Sequence, residues 1–341
     1  MKKHVLVTGG NGLVGSHCIL QLLEQGYPVK TTVRSLSKVP DVIKMLKNGG
    51  GDQFENLTFV EADLCHDENW EAAMQNCEFV LSVASPVFFD TPSNEADAVR
   101  PAIDGTLRIL QFAKRAGVKR VVMTSNFGAV GFSHTNKGSE TTEDDWTDPN
   151  LKGLSTYEKS KLLAELAAWD FINRSGDELE LTTINPVAIL GPSLDAHDTG
   201  SFQILVHLLD GSMKAVPNIP LNIVDVRDVA DLHIRAMEHH CAKNQRFIAT
   251  ADGQISMQEV AALLISKMGD TKNIPTKKLP SWIIHLASLF NAKAKMASTL
   301  MKVNRNVSNK KAKEMLGWTP QPIEHAILAS LDSINKYGVI K

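Results

Sequence analysis

Apolar and polar positions follow two different periods along the first half of the chain. Short runs rich in apolar and β-branched residues read as strands. These are Val5-Leu6-Val7, Tyr27 to Val33, Leu57 to Glu61, Phe79 to Val83, Val121 to Thr124 and Leu181 to Ile184. Between them lie stretches with helical spacing, Leu13 to Gln25, Trp70 to Asn76, Ala96 to Ala116 and Tyr157 to Asn173. Gly26 and Gly117 end two of these where a helix wants a residue free to turn left-handed. Strands separated by helices predict parallel pairing through crossovers, hence an α/β fold, a doubly wound parallel sheet of Rossmann type. After residue 185 the pattern changes. Pro186, Gly191, Pro192, Gly200, Gly211, Pro217 and Pro220 break the chain into loops, and helical segments dominate from Met257. The expected division is a dinucleotide-type domain over 1–184, with 223–238 returning to it, and a smaller, mostly helical C-terminal substrate lobe from 185–222 and 239–341.

Composition narrows the function classes. The chain has 341 residues, 43% hydrophobic, with a formal net charge of −2. That length buries a large core, and the charge lacks the basic excess of a nucleic-acid binder. Cys18, Cys65, Cys77 and Cys241 form no CxxC pair, so neither a disulfide framework nor a zinc site is expected, and a reducing, cytoplasmic setting fits. The apolar start is too short for a signal peptide, and no run approaches the roughly 18 residues of a membrane span. Trp282 to Phe290, with His285 inside it, reads as one short packed helix. The loop histidines His134 and His197, the pair His239-His240 and the acidic run Glu140 to Asp148 read as surface features, with Trp146 anchoring that last loop; no metal is expected.

Thr8-Gly9-Gly10-Asn11-Gly12-Leu13-Val14-Gly15 joins the first strand to the first helix. Gly9 permits a tight turn, Gly12 removes a Cβ that would block backbone approach to a pyrophosphate, and Gly15 allows close packing of helix on strand. Asn11, Leu13 and Val14 share that turn, and the phosphates would sit at the positive end of the helix. A reader of NAD carries an acid at the end of the second strand. This chain has Val33-Arg34-Ser35-Leu36-Ser37-Lys38 there. Arg34, with its planar fork, and Lys38 suit a 2′-phosphate, so NADP(H) is the expected cofactor. Asp63-Leu64 is a candidate adenine contact, and Ala84-Ser85-Pro86 would line the pyrophosphate and ribose crevice.

Tyr157 and Lys161 stand four apart, on one face of a helix. Ser155 and Glu158 form an S-x-x-E capping box that puts Tyr157 in the first turn. A neighbouring ammonium would lower the tyrosine's pKa and fit it for acid–base work. At these residues the chain resembles the extended short-chain dehydrogenase/reductases. It looks most like the branch with dihydroflavonol reductase, cinnamoyl-CoA reductase and methylglyoxal-type aldehyde reductases. The resemblance rests on Thr8–Gly15, Val33-Arg34, Ala62-Asp63-Leu64, Val83–Pro86, Gly105-Thr106-Leu107, Val121–Ser125, Tyr157–Lys161, Asn185-Pro186, Asp225–Ala230 and Leu316-Gly317-Trp318. It implies carbonyl reduction, with hydride from the nicotinamide, Tyr157 as proton donor and Lys161 supporting both tyrosine and cofactor. It also implies a serine after strand five. Where the family reads Thr-Ser-Ser, this chain reads Thr124-Ser125-Asn126-Phe127, so either Asn126 or Ser125 orients the carbonyl. Pro186 and Ile189 would flank the nicotinamide, and Ser201 would touch the cofactor or a lid.

Val87, Phe88, Phe89, Phe127, Phe202 and Leu205 are candidates for the wall of a modest apolar pocket holding a small-molecule carbonyl substrate. No nucleic-acid or membrane partner is expected, and the chain reads as a monomer or homodimer. Two other readings share the scaffold. A sugar-nucleotide epimerase or dehydratase would keep NAD, against which Arg34 argues. A non-enzymatic cofactor sensor would lose the Tyr157/Lys161 pair, which is present here.

Overall fold

The computed structural model describes residues 2–85, 95–176, 178–196, 200–269 and 273–339. Its centre is a sheet of seven parallel strands. Six are β1 (His4–Val7), β2 (Val29–Val33), β3 (Leu57–Glu61), β4 (Cys77–Ser82), β5 (Arg120–Thr124) and β6 (Glu180–Pro186). The seventh is Gln245–Ala249, and the spatial order is that strand, β6, β5, β4, β1, β2, β3. Strand order reverses between β1 and β4, so a crevice opens at their carboxyl ends, where doubly wound sheets bind ligands.

Burial on both faces explains why the central strands read as apolar runs. Val5, Val7, Leu81, Val122 and Ile184 pack on one face with Ile19 and Leu22 of α1 (Leu13–Glu24) and with Val229 of the helix Val226–Glu238. Leu6, Val80, Val121 and Leu181 pack on the other. There they meet Met74 of α3 (Trp70–Met74), Leu110 of α4 (Glu95–Arg115) and Ala168 of α5 (Thr156–Ser175). The helix α2 (Val39–Asn48), absent from the sequence reading, buries Val42, Met45 and Leu46 at helical spacing. A separate cluster joins Leu205, Leu208, Val260, Leu264, Ile327 and Leu331 of the helices Gln203–Leu209, Met257–Met268 and Ile323–Tyr337.

The structure corrects three expectations. Gln245–Ala249, expected in the lobe, pairs with β6; its polar start Gln245-Arg246 hides the strand pattern. Ile223–Asp225 pairs with Ala188–Leu190 in a separate two-stranded ladder and does not join the main sheet, although the helix after it covers the sheet's face. The helix Ser281–Ala287, expected to be packed, buries only Ile284.

Candidate active site

Hydroxyls lock the glycine turn at the crevice. Thr8 is fully buried, and its Oγ1 accepts from the N–H groups of Val83 (3.0 Å) and Ala84 (2.9 Å), tying the end of β1 to the segment after β4. Thr32 Oγ1 accepts from Gly9 N–H at 3.1 Å. Gly9 has φ +70°, and a Cβ there would lie 3.0 Å from that of Ala84. A Cβ on Gly15 would fall 2.4 Å from Gly9 O, so Gly15 seats the helix on the turn itself, not on the strand. Gly12 is exposed and would meet only Gly9 O, at 3.3 Å. It N-caps α1 with no side-chain cap and no acid in the first turn. The first-turn N–H groups, beside exposed Asn11, therefore lack a side-chain partner, as an anion site requires. Sequence reasoning missed Gly10, whose Cβ would strike Thr31 Oγ1 at 2.2 Å, and the threonines that hold the turn.

Arg34 stands exposed just beyond β2 and lies near the turn after β3, close enough to act on the Cys65 thiol. Lys38 instead faces Asp41 at 3.5 Å, both exposed, which is a weak pairing. One acid does reach the loop from β3: Glu61 Oε2 accepts from Leu36 N–H at 2.9 Å. Asp63 Oδ1 is engaged by Cys65 N–H at 2.8 Å. Leu64, Ala84, Ser85, Thr124 and Lys161 line one cavity, which brings five predicted cofactor residues together. Pro86, Val87, Phe88, Phe89 and His197 lie outside the described residues. Pro186 is buried at the end of β6, and Ile189 and Ser201 are half-buried.

The capping box forms as predicted. Ser155 Oγ accepts from Glu158 N–H at 3.2 Å, and Glu158 accepts from Ser155 N–H at 2.8 Å. Tyr157 is 47% exposed. Its hydroxyl end is desolvated, which raises its pKa, and the Glu158 charge pushes the same way; a hydrogen bond with the Asn126 side chain opposes both. Lys161 is buried, and desolvation lowers its pKa to about 8 against the pull of Glu165. Its Nζ donates to Thr124 O at 3.0 Å. The expected lowering of the Tyr157 pKa by Lys161 is therefore not found: the ammonium is turned onto a main-chain carbonyl.

Ser125 and Asn126 separate clearly. Ser125 is buried and donates to Glu165 Oε2 at 2.5 Å. That fully buried carboxylate also accepts from Asn185 Nδ2 (2.7 Å), Arg246 Nε (2.8 Å), Thr183 Oγ1 (3.0 Å) and Trp169 Nε1 (3.3 Å). Asn126 is half-buried and starts a short turn, its Oδ1 accepting from Ala129 N–H at 3.2 Å. Its amide N–H groups are what remain for the Tyr157 oxygen, and a bond donated to that oxygen opposes the upward push of burial and the Glu158 charge. Asn185 Nδ2 reaches Asn126 O at 3.2 Å, so the Glu165 cluster steadies this loop from behind.

Two proposed pocket walls belong to the core. Phe127 packs edge-on to Phe132 at 6.0 Å, and Phe202 sits among the lobe helices; each is 3% exposed, leaving no ring surface for a ligand. Leu205 is likewise fully buried. Among the described residues no cluster of three or more His, Cys, Asp or Glu side chains could hold a metal, and no helix is long and apolar enough to cross a membrane.

The chain is similar to several known proteins. The pattern of the NAD dependent epimerase/dehydratase family matches residues 5–249. Cinnamoyl-CoA reductase 1 of Arabidopsis thaliana is 35% identical over 81% of this chain and 77% of its own. An anthocyanidin reductase of Vitis vinifera is 32% identical over 82% and 83%. Yeast methylglyoxal/isovaleraldehyde reductase Gre2, solved in complex with NADPH, superposes with a TM-score of 0.80 at 28% identity, covering 99% of this chain and all of that one. With its glycine turn, parallel sheet and tyrosine–lysine face, the chain belongs to the NAD dependent epimerase/dehydratase family and is an oxidoreductase within it.

Proposed function

We propose that this protein is an NADPH-dependent reductase of small aldehydes or ketones. The observation that carries the reading is a half-exposed Tyr157 that keeps its proton at neutral pH, with its hydroxyl against the Asn126 amide. The residues present fit the dinucleotide. The uncapped first turn of α1 would take the diphosphate, Arg34 the 2′-phosphate, and the cavity lined by Leu64, Ala84, Ser85, Thr124 and Lys161 the ribose side. When bound, the cofactor supplies hydride to the carbonyl carbon. Tyr157 gives its proton to the carbonyl oxygen as charge develops there. Asn126 supplies a second donor, and buried Lys161 adds a positive charge that strengthens as water is excluded. The relatives named as reductases, and Gre2 with its NADPH, support the same reading. A panel of aldehydes, α-dicarbonyls and ketones, followed by loss of reduced-nicotinamide absorbance with NADPH and NADH in parallel, tests it. Turnover that favours NADPH is expected. Tight cofactor binding with no turnover on any carbonyl would move the chain to the sensor reading.

Three variants and one condition sharpen the roles. Arg34→Glu should weaken NADPH binding far more than NADH binding, because it sets a carboxylate against the 2′-phosphate; equal losses would reject that assignment. Asn126→Ala should cost about 2–4 kcal/mol of transition-state stabilisation. Ser125→Ala should leave kcat close to normal and lower the unfolding midpoint, since its hydroxyl serves only Glu165; the reverse pattern would exchange the two roles. The condition is pH. Lys161 has its pKa depressed to about 8, so it is charged below that pH and neutral above it. If its charge serves the reaction, kcat/KM falls as pH rises through about 8. The stability effect has the opposite sign: the buried charge is unfavourable below pH 8 and is relieved as it deprotonates. A kcat/KM profile flat from pH 7 to 9.5 would remove Lys161 from the chemistry.

A further inference from the structure

One surface of the C-terminal lobe departs from the rest of the molecule in both polarity and charge. The helix Ser281–Ala287 continues in a helical turn through Phe290, whose N–H reaches Ala287 O at 3.1 Å. Only Ile284 points inward. Trp282 is 66% exposed, Leu286 56%, Leu289 72% and Phe290 88%, with Ile283 beside them. Their spacing of four, three and one residues puts Trp282, Leu286, Leu289 and Phe290 along one helical face. Every other residue among the exposed large hydrophobics lies elsewhere in the fold, so this is a contiguous apolar patch and not scattered surface leucines.

Charge distinguishes what covers it. From residue 271 to residue 313 the sequence has no aspartate or glutamate but nine lysines and Arg305, in a chain whose 36 Lys and Arg are otherwise outnumbered by 38 Asp and Glu. Lys277, Lys278, Lys295 and Lys302, on the segments that flank the patch in sequence, are exposed, and none pairs with a carboxylate among the described residues. A second copy of this chain laid face to face would bring two such cationic rims together. An anionic bilayer surface answers both features: it takes Trp, Leu and Phe into the headgroup boundary and lysines onto lipid phosphates.

We propose that the face built by Trp282, Leu286, Leu289 and Phe290 with its lysine rim docks reversibly on anionic lipid bilayers. It lies on the surface without spanning. The proposal stands apart from the reductase reading. The adjoining helix Ala292–Lys302 packs Thr299 against Gly153, two residues before the cap of α5.

The test is cosedimentation of the full chain with vesicles of phosphatidylcholine mixed with phosphatidylglycerol, against vesicles of phosphatidylcholine alone. Binding to the mixed vesicles at low salt is expected, weakened by added salt. Leu289→Glu with Phe290→Glu should reduce partitioning about tenfold or more, with an unchanged thermal midpoint because both side chains already face water. Lys277→Glu with Lys278→Glu, which leaves the apolar face intact, should abolish the preference for the anionic vesicles. Three results would overturn the proposal: no binding to mixed vesicles at low salt, undiminished binding of the Leu289/Phe290 variant, or a dimer in solution that this variant dissolves while vesicles bind neither form.

Discussion

Replacing Tyr157 with phenylalanine is expected to lower kcat by about 10²–10⁴-fold, the usual worth of a positioned general acid. The change removes one oxygen and leaves the ring. That ring is 47% exposed, and the hydroxyl's partner is the Asn126 side chain, so little of the fold depends on it. The glycine turn and Arg34 are untouched, so NADPH affinity, read by the cofactor's fluorescence on binding, should stay within about twofold, as for a surface change far from its contacts. The direction of the tyrosine's pKa matters here. A phenol held above its ordinary value is protonated at neutral pH and is ready to give a proton to a carbonyl oxygen as that oxygen becomes basic. The same property makes the reverse reaction, alcohol oxidation, need a higher pH. Comparing the wild type's reduction and oxidation rates across pH therefore checks the assignment independently of the variant. Full activity in Tyr157→Phe would reject the mechanism, and loss of cofactor affinity in step with activity would make Tyr157 a binding residue.

Local signals carried the parts of this site that the sequence made legible. A glycine turn between an apolar run and a helix, and a serine three residues before a glutamate, each specify backbone geometry within a few residues. What stayed hidden depends on distant partners. The difference between Ser125 and Asn126 comes from Glu165, forty residues away, which takes the serine's hydroxyl. The seventh strand reads as polar at Gln245-Arg246 because the arginine's charge is answered by that same carboxylate. The neighbour of Lys38 is Asp41, an exposed acid one turn on. Helical spacing in Trp282 to Phe290 showed an apolar face, but periodicity cannot say whether a face meets core or solvent, and most of this one meets solvent. Phe127 illustrates the converse, an aromatic beside the catalytic loop that the core claims.

The second large effect is on stability. Arg246→Ala should destabilise the fold by about 3–5 kcal/mol, the range for removing one partner of a buried ion pair. Glu165 is fully buried, and Arg246, at 2.8 Å, is the cation in direct contact with it among the described residues, with the Lys161 charge acting from further off. The same guanidinium donates to Glu143 O and Asp145 O and stacks on Trp146 at 3.6 Å, so it also fastens the acidic loop to the sheet. Without it, four neutral donors face a buried carboxylate that must either stay charged in a poor medium or take up a proton. A paired replacement separates charge from packing. Glu165→Gln together with Arg246→Met removes both charges and keeps most of the volume, and it should cost less than Arg246→Ala alone. Urea unfolding of the three proteins at neutral pH measures this. If Arg246→Ala costs under about 1 kcal/mol, the carboxylate is not held as a buried anion. The loop behind Tyr157 gives a second readout, because Asn185 bridges Glu165 to Asn126 O. A folded Glu165→Gln variant should then lose kcat with little change in KM, as expected when a donor is loosened that acts mainly in the transition state.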